Sequence, residues 1–431
     1  MNREIIRNCI PSIIALTLTG LYSIIDGLFI GNVIGENGLA AINVAWPIPA
    51  FVTAIGTGIG TGGCIFYSMQ QGRKRQQLAG KGLQVTFATL FLAGILSTVV
   101  LLLMSRFLLK WLGAQGDVFD IAYDYVKVFL AGSVFSVMGA GMVPVLRGIG
   151  CAPAAMWITI AGMLGNLCAD YLLIVRWKYG IAGAAFGSVL AQGIVCLLGA
   201  ICLFVCTAKQ GKLLYRTKSG MEYRSIQKRI LRSGIAAFGE SISATVVLVF
   251  TNWQCQRYGS TPAVAAYAAI SYITFPVQYL LQGVGEGMLP LVSYAYGADD
   301  QKRLVLLRKK AFVLIGCMGM FLFGVIQLFD LQLAACFGLS EVGRKLFLQG
   351  IRISSVAFLL IGYVKWNISY CNAVSRVRDA VLLTYSESLL VAPALLFLLP
   401  VWFGISGVWL SFVGTTVVML VGYGILKKRA F

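Results

Sequence analysis

Histidine is absent from all 431 residues, and only 12% of the chain is charged. The missing imidazole removes the commonest general base, the commonest metal ligand and any histidine triad. A soluble domain carries about 25% charged residues, so half the usual charge is missing and a soluble fold is excluded. Acids are scarcest, 16 Asp and Glu against 35 Lys and Arg. No HExxH, GxSxG or CxxC pattern occurs, which leaves an intramembrane enzyme without support. The 11 cysteines lie mostly inside apolar segments with no metal-ligand spacing. They read as small buried hydrophobes rather than a disulfide framework.

What is present is apolar. Hydrophobic residues make up 58% of the chain, and the mean hydropathy is +0.83. Apolar runs of about 20 residues, the length that crosses a bilayer as a helix, recur throughout. The 49 glycines let such helices approach closely. The expected fold is therefore all-α and polytopic. Twelve spans are predicted near 10–30, 40–69, 83–105, 122–146, 154–175, 182–206, 234–256, 263–294, 311–329, 349–373, 380–401 and 404–425. No cleavable signal is expected, because the first apolar run leads straight into the Asp26 segment.

The net charge of +19 does not point to nucleic acid, because the basic residues sit in short loops between apolar runs. With a cytoplasmic N-terminus, 25 basic residues fall inside and nine outside, Lys365 alone lying within a span. That imbalance places both termini in the cytoplasm. The segment 207–234 carries eight basic residues and one acid, Glu222. It reads as a cytoplasmic connector, with a surface amphipathic helix or lipid-binding segment as the other readings.

The connector joins two halves that repeat. Tyr179-Gly180-Ile181-Ala182-Gly183 returns 224 residues later as Phe403-Gly404-Ile405-Ser406-Gly407. Gly58, Gly60, Gly62, Ser68 and Gly72 return 225 residues later as Gly283, Gly285, Gly287, Ser293 and Gly297. The expected domains are a six-helix half over 1–206, a linker over 207–233 and a second six-helix half over 234–431. An even number of spans gives both halves one orientation, related by a pseudo-two-fold axis along the membrane normal. This is a transporter architecture, with the substrate path between the halves.

Polar residues inside the apolar spans are candidates for function, since a carboxylate at bilayer depth costs about 2.5–3.5 kcal/mol. Asp26 lies in the first span after Pro11, whose missing N–H permits a bend. In the fifth span, Asn166 and Asp170 are four residues apart on one helix face, and the sixth adds Ser188 and Gln192. Two carboxylates within a few ångströms in low dielectric, as Asp26 and Asp170 would be if the spans meet, need a proton or a cation, and oxygen ligands suit Na⁺ as well as H⁺. At the repeat offset Asp26, Asn166 and Asp170 map to Phe250, Leu390 and Ala394, so packing of the duplicated fold does not demand them. The second half has Glu240, Glu286, Lys365 and Glu387 in or near spans. Pairing of Lys365 with a glutamate is expected, because an unpaired charge there is expensive. Trp46, Tyr272, Phe275, Tyr279, Tyr363 and Trp366 are candidates to line a cavity for flat cations.

Four stretches carry a family resemblance: IIDGLFIGNVIG with LAAINVAWPIPA, GNLCADYLLI with YGIAGAAFGSVLAQ, GEGMLPLVSYAYGADDQKR, and LLPVWFGISGVWLS. In order and across nearly the whole length, they resemble a multidrug and toxic compound extrusion (MATE) transporter of the DinF-like branch. The resemblance implies export of amphipathic organic cations, as drugs or metabolites, in exchange for H⁺ or Na⁺ by rocker-switch alternation. It implies an ion site at Asp26, Asn166, Asp170 and Ser188, the last in place of Thr, and a hinge at Pro11. Glu240 matches a seventh-span acid of another branch. The tenth-span acid of that branch is replaced by Lys365, and Glu387 stands where an arginine is frequent. No cofactor or metal is implied beyond the coupling ion. The expected partners are a small organic substrate and membrane lipids, for a monomer in a bacterial inner membrane. A lipid-linked oligosaccharide flippase is the alternative within the same superfamily.

Overall fold

The computed structural model describes residues 2–34, 36–209, 220–337 and 339–428, with side chains except at 2, 21–34, 36, 37, 39, 40, 207–209, 220, 261, 336, 427 and 428. Among the described residues there is no strand. The first span is Asn2–Ile34. The second joins Glu36–Ala45 to Pro47–Gly72. The third is Gln76–Trp111, and the fourth bends by 63° between Gly116–Ala131 and Ser133–Gly148. There follow Ala152–Arg176, Gly180–Cys206, Met221–Ser260, Pro262–Gly297, Gln301–Ala335, Glu341–Ala373, Val377–Phe403 and Ile405–Leu426. With Asn2–Ile34 and the bent pair each counted as one, these make twelve membrane-length segments among the described residues, in two sets of six.

Local chemistry sets several boundaries. Gly180 and Gly404, partners in the repeat, both have positive φ (59° and 55°) at the turns before the sixth and twelfth spans. Asp300 caps the ninth span by accepting from the Arg303 amide, and Ser340 caps the tenth by accepting from that of Gly343. One boundary differs from the sequence expectation. The seventh span starts not at 234 but within a helix that begins at Gly220. Ile226, Ile230 and Gly234 recur every four residues as a buried stripe, while Arg224, Lys228, Arg229 and Arg232 face outward. The second part of the basic connector is thus the first turns of a span, and no separate surface helix forms there.

The second span is 72% buried over its most apolar window, against 22% for the third and 17% for the sixth and ninth. It lies at the centre, with the peripheral spans presenting side chains such as Leu103, Phe107, Phe321 and Leu328 outward as a lipid-facing surface.

The repeated glycines explain how the halves meet. A Cβ on Gly58 would press on Phe238 and Gly234, and one on Gly62 would lie 2.1 Å from the Ile230 carbonyl oxygen, both in the seventh span. Their counterparts Gly283 and Gly287 seat against Ile13 and Cys9 of the first span. At the last turn, Gly72 packs on Tyr294 and Gly297 on Met69, so the second and eighth spans touch each other. These contacts exchange under the pseudo-two-fold operation. All lie toward the end of the bundle that carries the N-terminus and most of the basic loops.

Closure at that end therefore depends on bare backbone. A Leu at Gly62 is expected to cost about 1–3 kcal/mol of overpacking in the closed arrangement. Every 1.4 kcal/mol moves such an equilibrium about tenfold. Cys9, 1% exposed beneath Gly287, reports on it. In a chain whose other cysteines are Ser, Gly62→Leu is expected to speed alkylation of Cys9 by about tenfold. An unchanged rate in a well-folded variant would show that the contact does not hold this end shut.

Candidate functional site

The first cluster lies in the N-terminal half. Asn166 and Asp170 are 0% and 1% exposed, on one face of the fifth span, where the helix passes into a π-helical turn at Tyr171–Arg176. Such turns frequently accompany functional sites, because they redirect carbonyls and side chains. Gly187 of the sixth span stands over this pair. A Cβ there would lie 2.3 Å from Asp170 Oδ1 and 3.3 Å from Asn166 Nδ2. Neither the oxygen nor the nitrogen of the Asn166 amide has a hydrogen-bond partner among the described residues. An amide in that condition is costly unless something else completes it. Ser188 is half-buried. One residue on from Gly187, it leaves the helix about 100° away, at the flank of the pair rather than over it. The first span packs against the fifth, and it runs through Pro11 as one helix, with Ser12 donating to the Asn8 carbonyl. The Asp26 side chain lies outside the described residues.

A second cluster lies in the C-terminal half. Lys365 Nζ is 3.2 Å from both carboxylate oxygens of Glu387 and 3.7 Å from Glu240 Oε1. The three side chains are no more than 13% exposed. Glu387 opens a π-helical turn, Glu387–Val391, as Asp170 precedes one. One ammonium between two carboxylates leaves one negative charge over, which a single proton or monovalent cation would balance. Beside Glu240 is a cavity of about 10 Å³, lined among others by Thr61, Glu286, Ser369 and Asn372. It has room for about one water. Thr61 Oγ1, Glu240 Oε1 and Asn372 Oδ1 make no hydrogen bond among the described residues.

Among the described residues, three ion pairs join the halves. Arg147 of the fourth span meets Glu286 of the eighth at 3.1 Å, with 6% and 11% exposure. Lys81 pairs with Glu222 at 2.6 Å, and Arg303 with Glu4 at 3.1 Å. All three join the basic end of one half to the other, where the glycine contacts also lie. The two outer pairs are partly exposed and add little each. The inner pair is desolvated, so separating its members without hydrating them is expensive.

The fourth span predicted over 122–146 leaves Arg147 just outside it, among the basic residues counted as cytoplasmic, whereas Arg147 is buried in the last turn of that span. Its isolation in VPVLRGIG, away from any basic run, is the signal that could have marked it. Gly187 and the cavity-lining Thr61 and Asn372 carry no signal in a single sequence. Of the aromatic candidates, Trp366 is 1% exposed in the core and Tyr363 donates to the Phe312 carbonyl, so neither is an open cavity wall. The described cysteines are free, and three that sequence spacing does not group, Cys151, Cys202 and Cys206, converge with their sulfurs all within 4.8 Å of one another.

The family model described as MatE matches this chain twice, over residues 11–172 and 236–395. The multidrug export protein MepA of Staphylococcus haemolyticus is 24% identical over 420 residues, covering 95% of this chain and 89% of the relative. MepA of Staphylococcus aureus is 23% identical over 412 residues, covering 93% and 87%. Among solved structures, an outward-facing multidrug resistance MATE transporter superposes with a TM-score of 0.90 at 24% identity, covering 99% of this chain and 95% of the other. A transporter of the MOP superfamily from Pyrococcus furiosus gives 0.88 at 24% identity, with the same coverage. At this identity the superpositions establish a shared fold.

Proposed function

Because the chain belongs to the MatE family, whose members are membrane transporters and not enzymes, we propose that it is a secondary antiporter. It exports amphipathic organic cations in exchange for H⁺ or Na⁺, acting as a monomer with both termini in the bacterial cytoplasm. The relatives named as multidrug export proteins support efflux of drug-like molecules, and they do not favour the flippase alternative. No prosthetic group is required.

The observation that carries the ion coupling is the buried Asn166–Asp170 pair beneath Gly187. In this reading the pair, with Asp26 from the adjacent first span and Ser188 at its flank, binds the ion on the outer side and releases it inward. Pro11 lets the first span bend as the site fills, since its nitrogen carries no N–H and bending there breaks no hydrogen bond from it. The basic end acts as the inner gate: Arg147–Glu286, the two outer ion pairs and the glycine contacts separate when the halves rock. Glu240, which shares a small cavity with Thr61 of the other half, sets the charge of the substrate path together with its partners Lys365 and Glu387.

Energetically this is feasible. A monovalent ion moving down 100 mV supplies about 2.3 kcal/mol, comparable with breaking one partly hydrated ion pair. Purified protein in liposomes, given a pH gradient or a Na⁺ gradient separately, tests the proposal through uptake of a fluorescent organic cation. Uptake against the substrate gradient under one of the two is expected, and it names the ion. Uptake indifferent to both gradients would remove the antiport reading.

A further inference from the structure

The three converging cysteines take no part in the antiport cycle. Cys151 lies in the short loop before the fifth span, and its sulfur is 2.9 Å from that of Cys206. Cys202 and Cys206 are one turn apart on the sixth span, with sulfurs 4.0 Å apart. Among the described residues, they form the one group of three or more side chains of metal-ligating type within ligand distance. A trigonal ion with metal–sulfur bonds of about 2.3 Å holds its sulfurs about 4.0 Å apart. The Cys202–Cys206 separation already has that value, and a rotamer change at Cys151 can bring its two distances, 2.9 Å to Cys206 and within 4.8 Å to Cys202, toward it. The donors are all sulfur. The chain has no histidine, and among the described residues no carboxylate joins the group. An all-thiolate set of low coordination number favours soft Cu(I)-like ions over hard Mg²⁺, Ca²⁺ or Na⁺. The surrounding basic end offsets the negative charge that three thiolates bring.

We propose that Cys151, Cys202 and Cys206 form a binding site for one soft thiophilic ion of the Cu(I) class. The bound ion clips the start of the fifth span to the end of the sixth. Both spans belong to the same half and carry Asn166, Asp170 and Gly187 further along, so the clip stiffens the scaffold of the buried pair without entering it.

The test uses the full chain, purified in detergent, reduced with a phosphine and titrated anaerobically with Cu(I) against the chromogenic chelator bicinchoninate. One equivalent per chain is expected to be withdrawn from the chelator. Cys202→Ser is expected to weaken binding by at least about tenfold. Cys317→Ser, at an exposed cysteine elsewhere, is expected to leave it unchanged. A second readout needs no variant: Cu(I) should protect Cys151 and Cys206, but not Cys317, from alkylation mapped by mass spectrometry. Equal affinity in the Cys151/Cys202/Cys206→Ser triple variant would overturn the site. So would a Cys151–Cys206 disulfide that survives the reductant, or the absence of protection.

Discussion

Asp170→Asn protein is expected to insert and fold as wild type does, and yet to move no substrate uphill. The substitution keeps the volume, deletes the charge that a proton or cation neutralises and replaces one acceptor oxygen with an amide donor. Because the group is 1% exposed, water cannot stand in for the missing ligand. Gradient-driven uptake in liposomes should fall to the level of protein-free vesicles, while binding of the organic cation stays within about threefold. Gly187→Ala gives an independent check. It keeps the charge but puts a methyl 2.3 Å from Asp170 Oδ1, so the carboxylate must move or the helices separate. Coupled uptake should drop here too, with downhill exchange of substrate spared. Normal uphill transport by Asp170→Asn would sink the coupling role and move the search to the Glu240–Lys365–Glu387 cluster.

The largest loss of stability is expected from Lys365→Met. The ammonium is the only cation that meets Glu240 and Glu387 among the described ion pairs. Removing it strands two carboxylates that are 8% and 13% exposed. Breaking a buried ion pair by deleting one partner costs about 3–5 kcal/mol, because the survivor remains desolvated. Thermal unfolding in detergent should show a clear drop in midpoint. Adding Glu387→Gln to Lys365→Met should recover part of it, since one of the two stranded charges then disappears. Such recovery separates an electrostatic cause from lost packing, which a Gln would not restore. A neutral Lys365→Met would mean that water reaches the cluster freely.

Much of the fold is legible in the chain. Helices in a bilayer must satisfy their own backbone, so apolar length alone marks them. The glycine repeat at Gly58, Gly62 and Gly72 against Gly283, Gly287 and Gly297 points to a duplication, while the contacts these glycines make between the halves come from the structure. Failures fall where a span carries charge. The helix from Gly220 begins inside a basic segment because a stripe at Ile226 and Ile230 buries one face while charges occupy the other. A mean over the window hides that asymmetry.

Composition and periodicity thus determined the membrane class, the twelve spans and which acids are out of place in them. Spacing alone put Asn166 and Asp170 on one face, since residues four apart on a helix are neighbours whatever surrounds them. The tertiary structure decided which faces meet. Arg147 finds Glu286 139 residues away, Lys365 takes two glutamates from two other spans, and Cys151 reaches Cys206 across 55 residues. Local sequence cannot encode such pairings singly. Each depends on the rotation and depth of two helices at once, and those are set by the packing of every other span.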